Sequence, residues 1–149
     1  MDCDNFESRA NLVWDGETGG EVNIREFPKL KLDMPVKFGG KGRYSCPDEL
    51  FMSAIGGCLL TTFLYFKKKL GVHLNQLQIS IVGTLEMAGD EGYRISGIEC
   101  KIDIKTKEKE KANAKKCIEL AKKYCHITRT LERVVPIIIS ERIERSSGR

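Results

Sequence analysis

The chain has 149 residues, 41% hydrophobic and 31% charged with both signs mixed, and a formal net charge of +4 at pH 7. That length and apolar content suit one domain, 1–149, with a core of its own, and leave too little chain for two. The charge is modest, aromatics are few, and no recognition motif is present, so no nucleic-acid partner is expected.

Residues 10–14, ANLVW, and 21–27, EVNIREF, predict strands joined by the hairpin-type turn DGETGG. KLKLDMPV, 29–36, alternates apolar and polar residues and predicts a third strand, before a loop over GGKGRYSCP, 39–47. The first third is therefore expected to be a small antiparallel sheet.

A long helix follows. Ser45 with Asp48 three residues later resembles a capping box, and Pro47 suits the first turn. Glu49 adds a carboxylate at the positive end of the dipole, Lys67, Lys68 and Lys69 lie near the negative end, and Gly71 is a natural C-cap. Between these signals IGGCLLTTFLYF is apolar on nearly every face, which predicts a central helix covered on all sides. Leu50–Phe66 carries no charge, but it sits at the short limit for a membrane span, about 17 residues, and includes Ser53, Gly56, Gly57, Thr61 and Thr62. It reads as a core helix, and no membrane partner is expected. The Gly56–Gly57 pair costs roughly 1 kcal/mol per residue against alanine and points to another backbone approaching beside Cys58.

Beyond His73 the period changes to two. Leu77, Ile79, Ile81, Leu85 and Met87 share one parity, AGDEG at 88–92 is a turn, and Ile98, Cys100, Ile102 and Ile104 share a face of the next strand. From Glu108 helical spacing returns, with Ala114, Cys117, Ile118, Ala121, Tyr124 and Cys125 on one face and lysines opposite. The lysine-rich run 105–123 is broken by glutamates and reads as a solvated face. ITRTLERV either prolongs this helix or begins a short second one. VVPIII, 134–139, predicts a last strand with its proline near an edge or start. The ends, 1–9 and 141–149, are expected to fray.

The six cysteines are Cys3, Cys46, Cys58, Cys100, Cys117 and Cys125. The opening MDCDNFESRANLVW has no basic flank and no apolar signal core, so a cytoplasmic setting with mostly free thiols is expected. Cys3, Cys46 and Cys117 read as structural or incidental, although Cys46 lies near a helix start. Cys100 reads as a small inward-facing apolar residue.

Cys58 has two readings. As a core filler it would be inert, because burial raises a thiol's pKa; as a nucleophile it would need a cation or several donors beside it. Asp48, ten residues upstream, is roughly 15 Å away along the helix axis. It is too far to be a direct partner, but it could hold an arginine that leans over the thiol. If a new helix begins at Cys125, its free N–H groups would lower that thiol's pKa. A Cys58–Cys125 redox pair requires the two Cα atoms within roughly 7 Å, and spacing alone favours the packed-thiol reading. Cys125 and His126 are adjacent, but His73 is the only other histidine and no C-x-x-C or H-E-x-x-H spacing occurs, so no metal is expected. His73 reads as a connector residue and His126 as a surface one, without acid–base chemistry. Nothing indicates a nucleotide, flavin, haem or other cofactor.

CPDELFMSAIGGCLLTTF resembles the signature of the OsmC/Ohr superfamily, the osmotically inducible and organic hydroperoxide resistance proteins. LDMPVKFGGKG is similar to that family's strand, proline and glycine loop, and AKKYCHITRTLERVVPIII to its second cysteine helix and last strand. The resemblance runs from about Leu12 to Ile139. It implies an α+β fold with antiparallel sheets wrapped around two central helices in an intertwined homodimer, with the site built across the subunit interface. It puts the peroxidatic cysteine at Cys58, the resolving cysteine at Cys125 and the family's acid at Asp48. The implied reaction reduces an organic hydroperoxide or hydrogen peroxide to the alcohol and water, and a dithiol reductant then reopens the disulfide.

Two positions depart from the family's pattern. Asp48 stands where glutamate is usual. The N-terminal glycine-rich turn, where the hydroperoxide-resistance branch carries an arginine, reads DGETGGE. Arg9, Arg25, Arg43 and Arg129 are candidate replacements, with Arg43 preferred because it lies in the loop before the helix. The chain thus resembles a general OsmC-like member. Phe51 and the TTFLYF turn would line an apolar channel for bulky hydroperoxides, although Phe63 and Phe66 read more simply as core. The alternative is a non-enzymatic member that binds a small apolar ligand in the interfacial pocket and keeps Cys58 as a packed thiol.

Overall fold

The strand signals of the first fifty residues fold as a unit of their own. In the computed structural model, which describes residues 7–146, the chain forms two units divided after Leu50. The expectations for Cys3 and for the outermost ends, 1–6 and 147–149, lie outside the described residues.

In the first unit β1 (Asn11–Trp14), β2 (Gly19–Asn23) and β3 (Leu30–Asp33) make an antiparallel sheet in chain order. The expected turn is closed by Asp15, whose carboxylate accepts from the N–H groups of Glu17 at 2.8 Å and Gly19 at 3.3 Å. This side-chain-to-backbone closure lets β2 start at Gly19, before the expected EVNIREF. Beyond Asn23 the chain turns, with Arg25 at a positive φ of 48°.

Helix α1 (Pro47–Lys69) opens at the boundary of the two units. Its cap is the expected type, displaced by one residue. Cys46 precedes the first helical residue, its carbonyl accepts from Leu50 N–H, and its own N–H donates to Glu49 Oε2 at 2.9 Å. Glu49, rather than Asp48, thus makes the reaching-back half of a capping box. The far end closes as expected at Gly71, which has φ +63°. Gly71 N–H donates to Lys68 O and Val72 N–H to Lys67 O, the paired bonds of a Schellman motif.

In the second unit β4 (Gln76–Met87) and β5 (Tyr93–Thr106) form the expected hairpin, with Leu77 opposite Ile104, Ile79 opposite Ile102 and Ile81 opposite Cys100. A register shift after Thr84 makes Leu85 face Ile95, and Met87 is exposed. Helices α2 (Lys111–Tyr124) and α3 (His126–Leu131) follow, so the second helix is a separate short one. Ala114, Cys117, Ile118 and Ala121 are buried as expected; Tyr124 is exposed.

Strand β6 (Ile137–Arg145) lies at the edge of the order β4-β5-β6 and runs parallel to β5. Two expectations are corrected here. The second sheet is mixed, because α2 and α3 form the crossover that a parallel return requires. Residues 141–145 are paired strand and not a frayed end. The α+β class stands, with two sheets and three helices among the described residues.

Helix α1 is long and apolar enough by composition to cross a membrane. Within this chain it is covered along one stripe, Ile55, Cys58, Leu59 and Phe63, and not on all sides; Leu60, Leu64 and Tyr65 are exposed. A Cβ placed on Gly56 would lie 3.0 Å from Ile81 Cγ1, while one on Gly57 would meet nothing within 4 Å. The close neighbour is therefore a β4 side chain, and only Gly56 has one. Two apolar clusters form the core. One is centred on Phe63, Ile102, Ile104 and Ile118; the other joins Ile55, Cys58, Leu59, Ile98, Cys100, Cys125 and Val135.

Candidate functional site

The second cluster brings together the two cysteines singled out in the sequence. Cys58 comes from the middle of α1 and is 8% exposed; Cys125, at the joint of α2 and α3, is fully buried. The joint is rigidly built. Cys125 N–H donates to Ala121 O at 2.9 Å and its carbonyl accepts from Arg129 N–H at 3.0 Å. Its extended backbone, φ −66° and ψ 104°, ends one helix and begins the next.

The Cys58 thiol is pulled in both directions. Burial pushes its pKa above the ordinary thiol value. The Ile127 backbone N–H opposes this by donating to the sulfur, and the Cys125 thiol, hydrogen-bonded to it, raises it further; the Thr62 hydroxyl favours the thiolate. One N–H group offered by the new helix thus serves Cys58.

His126 lies at the surface, as the sequence led one to expect. Its side chain is exposed, yet its ring lies against the buried thiol, with Cys58 Sγ 3.8 Å from Nδ1 and 3.9 Å from Nε2. The available signal was its adjacency to Cys125: any fold that carries Cys125 to Cys58 carries His126 with it. Cys100 sits in the same cluster, its thiol pushed up to about 11 by burial and by the neighbouring Cys125. The thiols Cys46, Cys58, Cys100, Cys117 and Cys125 are all free, and among the described residues no cluster suits a metal ion.

Asp48 and Arg43 belong to the first unit. Asp48 is exposed in the first turn of α1, where its carboxylate complements the helix dipole. Arg43 is held by the very turn that departs from the family's pattern. Its Nη2 donates to Asp15 at 2.6 Å, its Nη1 to Glu17 at 2.5 Å and its Nε to Asp33 at 2.7 Å. Asp33 is fully buried and also accepts from Thr18 Oγ1 at 2.6 Å and from the N–H groups of Met34 and Arg43. The Arg43 guanidinium, more than any other neighbour, holds the Asp33 carboxyl well below the usual carboxylate range.

Comparison with known proteins agrees with this architecture. A family model described as OsmC-like protein matches residues 40–140. An OsmC-like protein from Mycoplasma pneumoniae superposes with a TM-score of 0.78 at 20% identity, over 97% of this chain and 99% of that one. An organic hydroperoxide resistance protein from Legionella pneumophila superposes with a TM-score of 0.73 at 19% identity, over 91% and 96% of the two chains. A third relative is an organic hydroperoxide resistance protein from Vibrio cholerae with captopril bound in one active site; it gives 0.72 at 17% identity, over 95% of each chain. A comparison with curated proteins finds no significant match.

Proposed function

The chain belongs to the OsmC-like protein family, and from that premise we propose that it is a thiol-dependent peroxidase in which Cys58 attacks the peroxide and Cys125 resolves the product. The observation that carries this reading is the hydrogen-bonded approach of the two thiols in one buried cluster. The Cys58 thiolate attacks the distal oxygen of ROOH. The O–O bond breaks, the sulfur is oxidised to a sulfenic acid, and the alkoxide leaves as the alcohol after taking up a proton. The Cys125 thiol then condenses with the sulfenic acid, forming the disulfide and releasing water. A dithiol reductant reopens it by exchange and leaves as its own disulfide.

Two structural relatives named for organic hydroperoxide resistance favour an organic hydroperoxide as substrate. The apolar lining of Ile55, Leu59 and Ile98 agrees with an alkyl group beside the thiol. The exposed apolar residues of α1, Leu60, Leu64 and Tyr65, support a homodimer in which a second copy covers that face. In this reading Asp48 keeps the dipole-complementing role, and Arg43, held by three carboxylates, organises the first unit.

The raised pKa of Cys58 favours a second reading, an apolar-ligand site with a packed thiol. The test is intact mass and free-thiol titration of the reduced protein before and after one equivalent of cumene hydroperoxide. The peroxidase loses two thiols and about 2 Da, in keeping with disulfide formation, and loses neither in Cys58→Ser. Survival of both thiols for minutes would rule the peroxidase out.

A further inference from the structure

We propose that His126 is a catalytic residue of this site: it accepts the Cys58 proton to give a thiolate–imidazolium pair and returns that proton to the departing alkoxide. The inference rests on the reading of Cys58 as the reacting thiol, and it assigns to a histidine the activation that the resemblance would give to an arginine.

Its first support is geometric. Cys58 Sγ lies 3.8 Å from Nδ1 and 3.9 Å from Nε2, so the ring is in contact with the sulfur, and a turn of the exposed ring about its Cβ–Cγ bond brings one nitrogen into line to accept the thiol proton. The second is the contrast in exposure. Cys58 is only 8% exposed, whereas His126 is on the surface, where its ring exchanges protons with water. The third is elimination among the groups that face the sulfur. Cys125 comes from the joint of α2 and α3, Cys100 from β5 and Thr62 from α1. The two other cysteines are buried thiols, and as thiolates they would repel a third. Of these groups only imidazole ordinarily changes charge between pH 5 and 8. On α3 the nearest charged side chain in sequence, Arg129, is engaged by Glu132 at 3.2 Å and by Lys123 O at 3.2 Å.

The remaining neighbours suit the charged state of the sulfur. Ile127 N–H and the Thr62 hydroxyl both favour the thiolate. The His126 carbonyl accepts from Thr130 Oγ1 at 2.8 Å, which fixes the backbone that carries the ring. Base and resolving thiol are adjacent in the chain and arrive together. The balance is complete: Cys58–SH and His126 give thiolate and imidazolium; the thiolate and ROOH give Cys58–SOH and RO⁻; imidazolium and RO⁻ give His126 and ROH.

The test needs no peroxide. The alkylation rate of Cys58 by iodoacetamide, resolved by peptide mass spectrometry, is followed from pH 5 to 10 in reduced wild type and in His126→Gln, with folding checked by circular dichroism. Wild type should show an alkylation step at lower pH than the ionisation of an unassisted thiol. In His126→Gln that step should vanish and the rate at pH 7 should fall at least about tenfold, the lower range of general-base effects. Free imidazole should restore part of the rate. Superimposable profiles in the folded variant would overturn the assignment. A wild type that has the low-pH step yet ignores cumene hydroperoxide would overturn the peroxidase reading and leave His126 as the base of Cys58.

Discussion

Arg43 Nε lies 2.7 Å from Oδ2 of Asp33, a carboxylate without solvent exposure, and this pair ties the loop before α1 to the end of β3. Asp33 is held well below its ordinary pKa, first by Arg43 and then by the Thr18 hydroxyl and two backbone N–H groups, against the opposing effect of burial. A depressed carboxyl contributes stability in full above its unfolded value, about 3.9, and loses it as the pH falls toward the folded value. Asp33→Asn should therefore lower the melting temperature of the first unit at pH 7, read by Trp14 fluorescence, and the gap to wild type should begin to narrow below about pH 4. A gap of equal size at pH 3 and pH 7 would mean that the charge of Asp33 is not what matters.

The same pair bears on how Cys58 is activated. Arg43→Met should destabilise the first unit yet leave the pH profile of Cys58 alkylation unchanged, because its guanidinium is committed to Asp15, Glu17 and Asp33. If the variant loses thiol reactivity while remaining folded, Arg43 acts on the site and the expectation from resemblance is restored.

Gly56 and Gly57 separate two kinds of glycine. Gly56→Ala gains helix propensity but presses its methyl against Ile81 Cγ1 at 3.0 Å, so its net effect on stability should be small. Gly57 has open space beside it in this chain. On a solvent-facing helix, Gly57→Ala would stabilise by about 1 kcal/mol. If a second copy covers α1, as proposed, the added methyl meets that copy, and sedimentation should shift toward the monomer at low concentration. A stabilised variant with unchanged sedimentation would show that this face of the helix is not in an interface.

How much of this was legible in the sequence depends on how local each signal is. Glu49 and Gly71 act within one turn of their own residues, so both ends of α1 could be read to within a residue. The β4–β5 pairing follows from strict alternation through Ile79, Ile81, Cys100 and Ile102. The direction of β6 was not legible, because VVPIII reads alike in parallel and antiparallel pairing; the crossover through α2 and α3 decides it. Cys58 and Cys125 were found through a resemblance, while the contact of His126 with Cys58 was passed over although its adjacency to Cys125 was there to be read, because that signal has meaning only once the two cysteines are brought together. Asp15 and Glu17 looked like the loss of an expected cation, and their partnership with Arg43 needed the folded turn to be seen.

The thiols should divide sharply by exposure. Cys46 is partly exposed beside the start of α1, whereas Cys100 and Cys117 are buried and burial raises both. In native reduced protein at pH 8, Cys46 should be labelled well before Cys100 and Cys117, which should react only after denaturant is added. Cys100, at about 11, would remain protonated at that pH even if reagent reached it. Labelling of Cys100 as fast as Cys46 would mean that the sheet opens on the timescale of the reagent.

Cys125→Ser isolates the resolving step with little structural change. The residue precedes α3 and makes no side-chain cap of its own. A serine there is smaller by little and is among the favoured residues for that position, worth up to about 1 kcal/mol when the cap forms. The variant should therefore fold, and its Cys58 should still be oxidised. Without a thiol to condense, the sulfenic acid should persist and proceed to the sulfinic acid, reading in intact mass as gains of about 16 and then 32 Da. His126 remains in place, so the first oxidation should still slow when His126→Gln is added. If Cys125→Ser instead forms a disulfide as fast as wild type, the buried Cys100 of the same cluster is the resolving thiol, and Cys125 is only part of the frame that holds His126 against Cys58.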